Sequence, residues 1–512
     1  MEPNASCPIR PTEFVRPGSV SRGTVLLSAA LATLVAGLVL LPLLGHKPLA
    51  EWDEGIYAEV SREMLSRGWL VPHWNGQVWL EKPPLLLWIT AIFFKLFGVH
   101  EFWARAGSAL SGVATVGLLH GWLARKTNLL MAWFSSVILL GTFGFLHVCH
   151  MGEMDVLLSL GCCIALIGLT EVDQRNANGW YFFWSGFAIA LMTKGAASVV
   201  LPIAAVLFIA LQRWGWVRFG KACWLGLLLF LLVVLPWHLY MFHLFGNQFL
   251  AEYLGLHVLT RATHQIEGHA THWWYYFGVL LASAAPFVLL FPASMLDCWR
   301  RNELRAWVVF SVVVVGFFTV VQTRLPHYIA PAYPALTVLA AVYLGNQLGP
   351  LVAQRRAPSF WIKVVLASVA IFIASALLTS HARKSLHTAK LSDGTVLPDN
   401  KDSILLLRDA FSHPKPITGP LLLWREGRIM SIATDVFYSQ RTVQQVQLLP
   451  VPAGVSTDKY FFQPEALSGA VGSESRLILL DKVLVRQIPH EFTYTPIQSG
   501  KTVELGTIAL SR

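Results

Sequence analysis

Long apolar segments recur along most of this chain and constrain its fold more than any other feature. A helix needs about 20 apolar residues to cross the hydrocarbon core of a bilayer. Eleven segments of the 512-residue chain reach or approach that length, namely 24–44, 104–124, 129–149, 154–171, 178–195, 197–213, 220–244, 274–293, 306–323, 328–347 and 360–380. Only 13% of the residues are charged, whereas soluble proteins carry about a quarter. The sequence predicts an α-helical polytopic membrane protein with about 11 to 13 transmembrane helices.

Basic residues predict how the chain is oriented, because Lys and Arg favour cytoplasmic loops. They occur at Arg10, Arg16 and Arg22, at Arg125 and Lys126, at 213–221, at Arg300, Arg301 and Arg305, and at Arg355 and Arg356. The segments that then face outward are the loops 45–82, 150–153, 245–273 and 324–327 and the tail from His381. This orientation requires the short apolar stretch 83–98 to lie at the interface; the alternative is a twelfth span.

Composition also limits the class of partner. The formal charge is +10, but no basic run with interleaved aromatic residues suggests nucleic acid, and the basic residues are expected to meet membrane lipids. The first span is long enough to remain as a start-transfer helix. None of the six Cys lies in the polar C-terminal third, so no disulfide framework is expected there, and Cys162 and Cys163 are expected to be small core residues.

The pattern changes after residue 380. Short apolar runs that favour β-strands occur at 404–407, 421–424 and 476–480, separated by Pro, Gly and Asp. About 130 residues are enough to bury a core of their own. We predict a transmembrane domain over 1–380, with a catalytic first external loop at 45–100, and a small external α/β domain over 381–512.

The first external loop carries paired acids, Asp53 and Glu54, followed by Tyr57. Asp53, Tyr57, Val60 and Met64 follow helical spacing, so Asp53 and Tyr57 share one helical face. An acid near the membrane surface can deprotonate a hydroxyl group as a general base. The alternative is an acid that caps an amphipathic surface helix.

The same loop ends in Glu81-Lys82-Pro83-Pro84. The two prolines favour the start of a helix, which places Lys82 just before a helix N-terminus, where backbone N–H groups attract anions. Lys82 is therefore a candidate phosphate ligand. The alternative is an interfacial lysine that reaches lipid head groups.

Three further groups lie at predicted external ends of spans. Asp155 begins a span, where an acid costs free energy and marks a candidate functional site; the alternative is a helix-start acid. Arg324 and Tyr328 suit a phosphate clamp or an aromatic belt with a flanking cation. Six of the 17 His lie between His238 and His272. His257 and Arg261 are one helical turn apart, and His with a carboxylate such as Glu81 suits a divalent ion. The alternative, which no metal-binding spacing opposes, is a set of interfacial His on an amphipathic loop.

Together these external acids and cations fit a lipid-linked phosphate substrate, whose head group lies at the membrane surface. The run from Asp53 to Glu59 and the sequence Glu81-Lys82-Pro83 resemble those of the lipid A aminoarabinose transferases. These group with the dolichyl-phosphate-mannose–protein mannosyltransferases in the GT-C class, glycosyltransferase families 39 and 83. The likeness continues through 235–237, 257–261, 273–276 and 325–328 and spans roughly 24–347.

The resemblance implies an inverting transfer of a sugar from a polyprenyl-phosphate donor to a lipid or protein acceptor on the periplasmic face of a bacterial inner membrane. Asp53, with Glu54 beside it, matches the general base, and Asp155 matches a second catalytic acid that would shape the acceptor side or share the role of the base. The carrier phosphate would be held by Lys82, Arg261 and Tyr328, with Arg324 nearby.

Glu81 and His257 match positions linked to a metal in the lipid A enzymes. The family usually has Glu before that His, but Leu256 stands here. The pattern makes no cofactor certain; a divalent metal, Zn²⁺ or Mg²⁺, is the one candidate. The C-terminal domain matches no family run, so acceptor choice does not carry over.

The alternative function is a transporter or flippase for a lipid-linked or anionic substrate. Many spans with acids near their ends suit it, but the chain has no repeated half and no matching pair of interrupted helices. A receptor or scaffold leaves the acids and the lysine of the first loop unexplained.

Overall fold

A computed structural model describes residues 20–50, 52–215, 218–260, 272–354, 401–411, 420–425, 432–447, 465–471 and 475–511. The chain divides into two compact units. The first unit comprises residues 1–44, 80–86 and 105–387, and the second comprises 45–79, 87–104 and 388–512.

Helices dominate the chain up to residue 354. In order, they are α1 Arg22–Leu40, α2 Asp53–Arg67, α3 Leu85–Phe97, α4 Glu101–Lys126, α5 Leu129–Gly141, α6 Phe143–Cys149, α7 Asp155–Asp173, α8 Gly179–Lys194, α9 Val200–Leu211, α10 Lys221–Leu250, α11 Tyr275–Ser283, α12 Phe291–Trp299, α13 Arg305–Val320 and α14 Ala332–Gln354. A two-stranded hairpin, β1 His73–Trp74 and β2 Gln77–Val78, follows α2, and a π-helix, Ala251–Thr260, follows α10.

The predicted fold class, a mostly helical multi-pass membrane protein, is confirmed. Helices cover the predicted spans up to 347, while span 360–380 lies outside the described residues. Among the described residues, five helices are long and apolar enough to cross a membrane, or up to seven if each of two bent pairs is one span. This count is lower than the number of predicted spans partly because 179–211 counts as one run. The stretch 83–98 forms α3, a shorter apolar helix of 13 residues.

Close contact between α7 and α8 organises the first unit. The two helices run antiparallel and meet through glycines, so that a Cβ added to Gly161 or Gly168 would collide with the backbone of α8. Small residues allow helix backbones to approach in this way. As a result, the first residue of α7, Asp155, lies beside the last residue of α8, Lys194, although 39 residues separate them in sequence. Cys162 and Cys163 are buried in α7, as predicted.

The C-terminal part of the second unit contains a six-stranded mixed sheet. Its helices and strands are α15 Lys401–Phe411, β3 Leu421–Trp424, α16 Ala433–Ser439, β4 Val443–Gln447, β5 Glu465–Ala466, α17 Leu467–Val471, β6 Arg476–Asp481, β7 Phe492–Ser499 and β8 Val503–Leu510. The strand order is β5-β4-β3-β6-β8-β7. Strands β3 to β6 pair in parallel, and β8 is antiparallel to β6 and β7. The expected combination of helices and strands is therefore present.

One strand prediction in this region is wrong. Residues 404–407 belong to helix α15, whereas 421–424 and 476–480 form strands as predicted. A short apolar run does not by itself distinguish a buried strand from a buried helix face. Here Leu405 is 41% exposed while Ile404 and Leu407 are buried, which is the pattern of one helical face.

The hairpin of the first loop contacts strand β4 of this sheet within the second unit. Asn75 and Gly76 both have positive φ, 51° and 77°, as a two-residue type I′ turn requires. The Asn75 side chain then pairs with the backbone of Val443 in β4: its Nδ2 donates to the Val443 carbonyl (3.0 Å), and its Oδ1 accepts from the Val443 N–H (2.8 Å).

We expect Asn75→Ala to destabilise this unit, because both backbone groups of the buried Val443 lose their side-chain partner. The cost of leaving buried polar groups unpaired is about 1–3 kcal/mol. Thermal unfolding of the purified protein, followed by tryptophan fluorescence, measures the effect. Gln77→Ala, at an exposed position of the same hairpin, is the matched control; equal melting temperatures for both variants would contradict the assigned role of Asn75.

Candidate functional site

A cavity of about 120 Å³ in the first unit brings together three of the charged residues singled out in the sequence, Glu81, Lys82 and Asp155. Its polar lining consists of Glu81, Lys82, Asp155, Lys194, Tyr253 and Tyr328. The remaining wall is apolar and includes Leu158, Val199, Phe317, Phe318 and Val321. Two acids, two lysines and two tyrosines therefore face one small, largely apolar space.

The most strongly paired charges in the cavity are Asp155 and Lys194. Lys194 Nζ donates to both carboxylate oxygens of Asp155 at 2.7 Å. The side chain of Asp155 is only 3% exposed and that of Lys194 only 9%. Buried charges are costly unless they are paired with good geometry. The carboxylate also lies at the N-terminus of α7, where the helix dipole favours negative charge. Asp155 thereby holds an ammonium group at the cavity wall.

Lys194 is a functional candidate that the sequence analysis missed. Its ammonium lies 5.2 Å from the ring centroid of Tyr328, a cation–π distance. Tyr328 in turn packs against Phe318 at 5.3 Å between ring centroids. A lysine inside an apolar segment is itself a signal of function, and that signal was available in the span predicted at 178–195.

Glu81 and Lys82 enter the cavity from the segment just before α3. Helix α3 begins at Leu85, directly after the two prolines, as the sequence predicts. Glu81 is buried and Lys82 is half-buried. Lys82 thus reaches the same space as Lys194 from a different part of the chain.

Arg324 is not one of the residues that line the cavity. Its Nε and Nη2 donate to the carbonyl of Thr319 at 3.2 and 2.7 Å, and the residue is 8% exposed. The guanidinium is therefore held by the last turn of α13. Arg261 lies outside the described residues, so its predicted contact with phosphate stays a prediction.

Glu153, Asp155 and His327 form the one group in the described part of the chain whose ligand atoms lie close enough for a metal, within 4.8 Å of one another. The cation that balances Asp155 is the Lys194 ammonium, and His327 Nδ1 lies 3.7 Å from Glu153 Oε2. Glu81 is not a member of this group. The side chain of His257 lies outside the described residues, so the predicted Glu81–His257 metal pair also stays a prediction.

The acids of the first loop lie in the second unit, on α2. Asp53 is the first residue of the helix and is half-buried. Glu54 is 1% exposed and accepts a hydrogen bond from the Ala50 N–H at 2.6 Å. Tyr57 is buried, with its ring edge-on to Trp79 at 6.1 Å. Ten residues of α2 are buried, so it is not the amphipathic surface helix of the alternative interpretation.

A second buried acid of α2, Glu59, accepts hydrogen bonds from Nε and Nη2 of Arg62 at 2.7 and 2.6 Å. Burial raises the pKa of Glu59 to about 8, against the opposing effect of the Arg62 guanidinium. This ion pair lies on α2, the helix that begins with Asp53. It gives Glu59 a structural role in the run from Asp53 to Glu59.

The fold is that of the GT-C membrane glycosyltransferases, and the resemblance predicted from the sequence is confirmed. Residues 81–240 match the family model of the dolichyl-phosphate-mannose-protein mannosyltransferases. The chain is also similar in structure to ArnT from Cupriavidus metallidurans bound to undecaprenyl phosphate, with a TM-score of 0.70, 21% sequence identity, and coverage of 95% of this chain and 98% of ArnT.

Sequence relatives agree with this likeness. The chain is 29% identical over 358 residues to an undecaprenyl phosphate-alpha-4-amino-4-deoxy-L-arabinose arabinosyl transferase of Serratia proteamaculans, over 66% of this chain. It is also 29% identical over 351 residues to an uncharacterized protein of Aquifex aeolicus. The matched stretch spans 61% of the Serratia relative and 68% of the Aquifex relative.

Proposed function

We propose that this chain is an integral-membrane glycosyltransferase that moves a sugar from a polyprenyl-phosphate donor, of the undecaprenyl-phosphate type, to a lipid or protein acceptor. The observation that carries the proposal is the cavity in which Lys82, Lys194 and Tyr328 face one space. The names of the relatives support a donor of this chemistry. In this proposal the enzyme lies in a bacterial inner membrane and its site faces the periplasm, as does the domain 381–512.

The phosphate of the donor is the leaving group. As the bond between the sugar C1 and the phosphate oxygen breaks, negative charge builds on the phosphate, and fixed cations in a partly dry site stabilise it. Lys82 and Lys194 supply these cations and Tyr328 supplies a hydroxyl donor. Asp155 keeps the Lys194 ammonium in place. Arg261 and Arg324 are proposed as further cations near the phosphate.

The acceptor attacks C1 from the opposite face, so the configuration inverts. For a hydroxyl acceptor, Asp53 takes the proton as the new C1–O bond forms, and the polyprenyl phosphate monoester is released. Glu54 fixes the start of α2 through its bond to Ala50, and Tyr57 belongs to the same helix. If Glu81 and His257 hold a metal, it would supply additional positive charge.

Sugar transfer by the purified protein in liposomes tests the proposal. A panel of radiolabelled polyprenyl-phosphate sugars is offered with envelope lipid or envelope protein as acceptor. Wild type is expected to consume at least one donor and release polyprenyl phosphate, and Lys82→Met to lose most of this activity. Lys221→Met, at an exposed lysine, is the matched control. Folded protein that moves an intact lipid across the bilayer without cleaving any donor would favour the transporter instead.

A further inference from the structure

Tyr253 is a cavity residue that none of the phosphate contacts above uses. It lies on the π-helix Ala251–Thr260 and is 8% exposed. Its ring stacks on Phe249 with centroids 5.1 Å apart and planes at 11°, and a Cβ on Gly195 would collide with its hydroxyl group. The phenol is therefore held from two sides, on a type of helix that occurs frequently at functional sites.

His238 on α10 fixes the direction of the Tyr253 hydroxyl. His238 Nδ1 lies 2.8 Å from the carbonyl oxygen of Val234, and His238 Nε2 lies 3.2 Å from Tyr253 Oη. A carbonyl can only accept, so Nδ1 carries the proton and, in the neutral imidazole, Nε2 is the acceptor. No carboxylate among the described residues bonds this ring to favour its charged form. The Tyr253 O–H therefore donates to His238.

The direction of this hydrogen bond determines what the Tyr253 oxygen can bind in the cavity. Its proton points to His238, and within the described part of the chain His238 is its one hydrogen-bond partner. What remains on the oxygen is the capacity to accept. A phosphate oxygen is also an acceptor and forms no hydrogen bond with this oxygen, whereas a hydroxyl or ammonium group can donate one to it.

We propose that the Tyr253–His238 pair recognises the sugar of the donor by accepting a hydrogen bond from one of its hydroxyl or amino groups. The inference rests on the proposed function and assigns different roles to different residues of the cavity. Lys82 and Lys194 bind the phosphate, and Tyr253 selects the sugar. A site that hydrogen-bonds a substrate hydroxyl discriminates against analogues that lack it, because the buried partner is then left unpaired.

The test compares two ligands that differ only in the sugar. Equilibrium binding of undecaprenyl phosphate and of undecaprenyl-phosphate-linked pentose, hexose and aminopentose is measured on wild type, and the tightest sugar lipid is carried forward. Tyr253→Phe removes the hydroxyl, His238→Leu removes its acceptor, and His238→Gln keeps an acceptor in place of Nε2. Tyr333→Phe is the matched control, since Tyr333 is also buried and hydrogen-bonded, to Ser283 at 2.8 Å, but lies outside the cavity lining.

Tyr253→Phe is expected to weaken binding of the sugar lipid by about 3- to 10-fold, the usual range for one neutral hydrogen bond. Binding of undecaprenyl phosphate should change less than about twofold on the same reasoning. His238→Leu should lose the preference for the sugar lipid, while His238→Gln and Tyr333→Phe retain it.

Equal weakening of both ligands, or no change in either, would overturn the role of Tyr253 while leaving the proposed transferase intact. Wild-type protein that binds neither ligand would overturn this inference together with the proposed function. Lys82→Met separates the two sites further, because it should weaken both ligands.

Discussion

Replacing Lys194 by methionine is expected to lower the rate of sugar transfer by about 100-fold or more, the usual loss when one fixed donor to a developing charge is removed. The ammonium is held at the cavity wall by both oxygens of Asp155, so it needs no rearrangement as the phosphate leaves. Methionine fills similar space without the charge. Initial rates of polyprenyl-phosphate release by the reconstituted variant measure the effect.

A loss of activity could also reflect misfolding, because Lys194→Met leaves the buried carboxylate of Asp155 without its partner. Breaking a buried ion pair in this way costs about 3–5 kcal/mol. The double variant Lys194→Met with Asp155→Asn removes both charges and is expected to recover most of that stability while remaining inactive. Recovery of transfer together with stability would show that the pair only holds α7 and α8 together.

Asp53→Asn is expected to lower transfer to a hydroxyl acceptor by about 10²- to 10⁴-fold, the range typical of a lost general base. Asparagine keeps the size and polarity of the side chain at the first position of α2 but cannot take a proton. The donor should bind as it does to wild type, because Asp53 has no assigned contact with the phosphate. Single-turnover transfer and equilibrium binding, measured on the same preparation, separate the two quantities.

Glu54→Gln is the matched control for Asp53→Asn. Glu54 is the adjacent acid, and its carboxylate accepts the Ala50 N–H; the amide oxygen of glutamine can accept the same bond. We therefore expect Glu54→Gln to retain most of the activity. Similar losses in both variants would point to disruption of the start of α2, and unchanged transfer by Asp53→Asn would exclude it as the base.

Hydrophobic length predicts most of the membrane helices but not their bends. The predicted span 129–149 is split at Thr142 into α5 and α6, which are inclined by 69°. Helix α11 is inclined by 116° to the segment Phe287–Trp299, which contains α12. Apolar composition indicates whether a segment is hydrophobic along its length. Whether the segment bends depends instead on the residues that pack against it. For the same reason, the sequence of 404–407 predicts a strand although these residues form part of a helix.

The cavity was predictable in part for similar reasons. Lys82 and Asp155 stand out in the sequence because each places a charge next to an apolar segment, which costs free energy. Each is also recognisable from its neighbours in the sequence. Lys194 is also a charge in a predicted span, but its pairing with Asp155 was not predictable, because the two are 39 residues apart and the glycine contacts of α7 and α8 bring them together. Tyr253 and His238 were hidden for another reason: their importance lies in the direction of one hydrogen bond, which no spacing reveals.

Binding of undecaprenyl phosphate compared with undecaprenol tests the central claim most directly, that the charged cavity holds a lipid-linked phosphate. The two lipids share a tail and differ only in the phosphate. Wild type is expected to bind the phosphate form about tenfold or more tightly, as charge-assisted hydrogen bonds imply. Lys82→Met and the double variant at Lys194 and Asp155 should lose most of that preference. Equal affinity of wild type for both lipids would contradict the account.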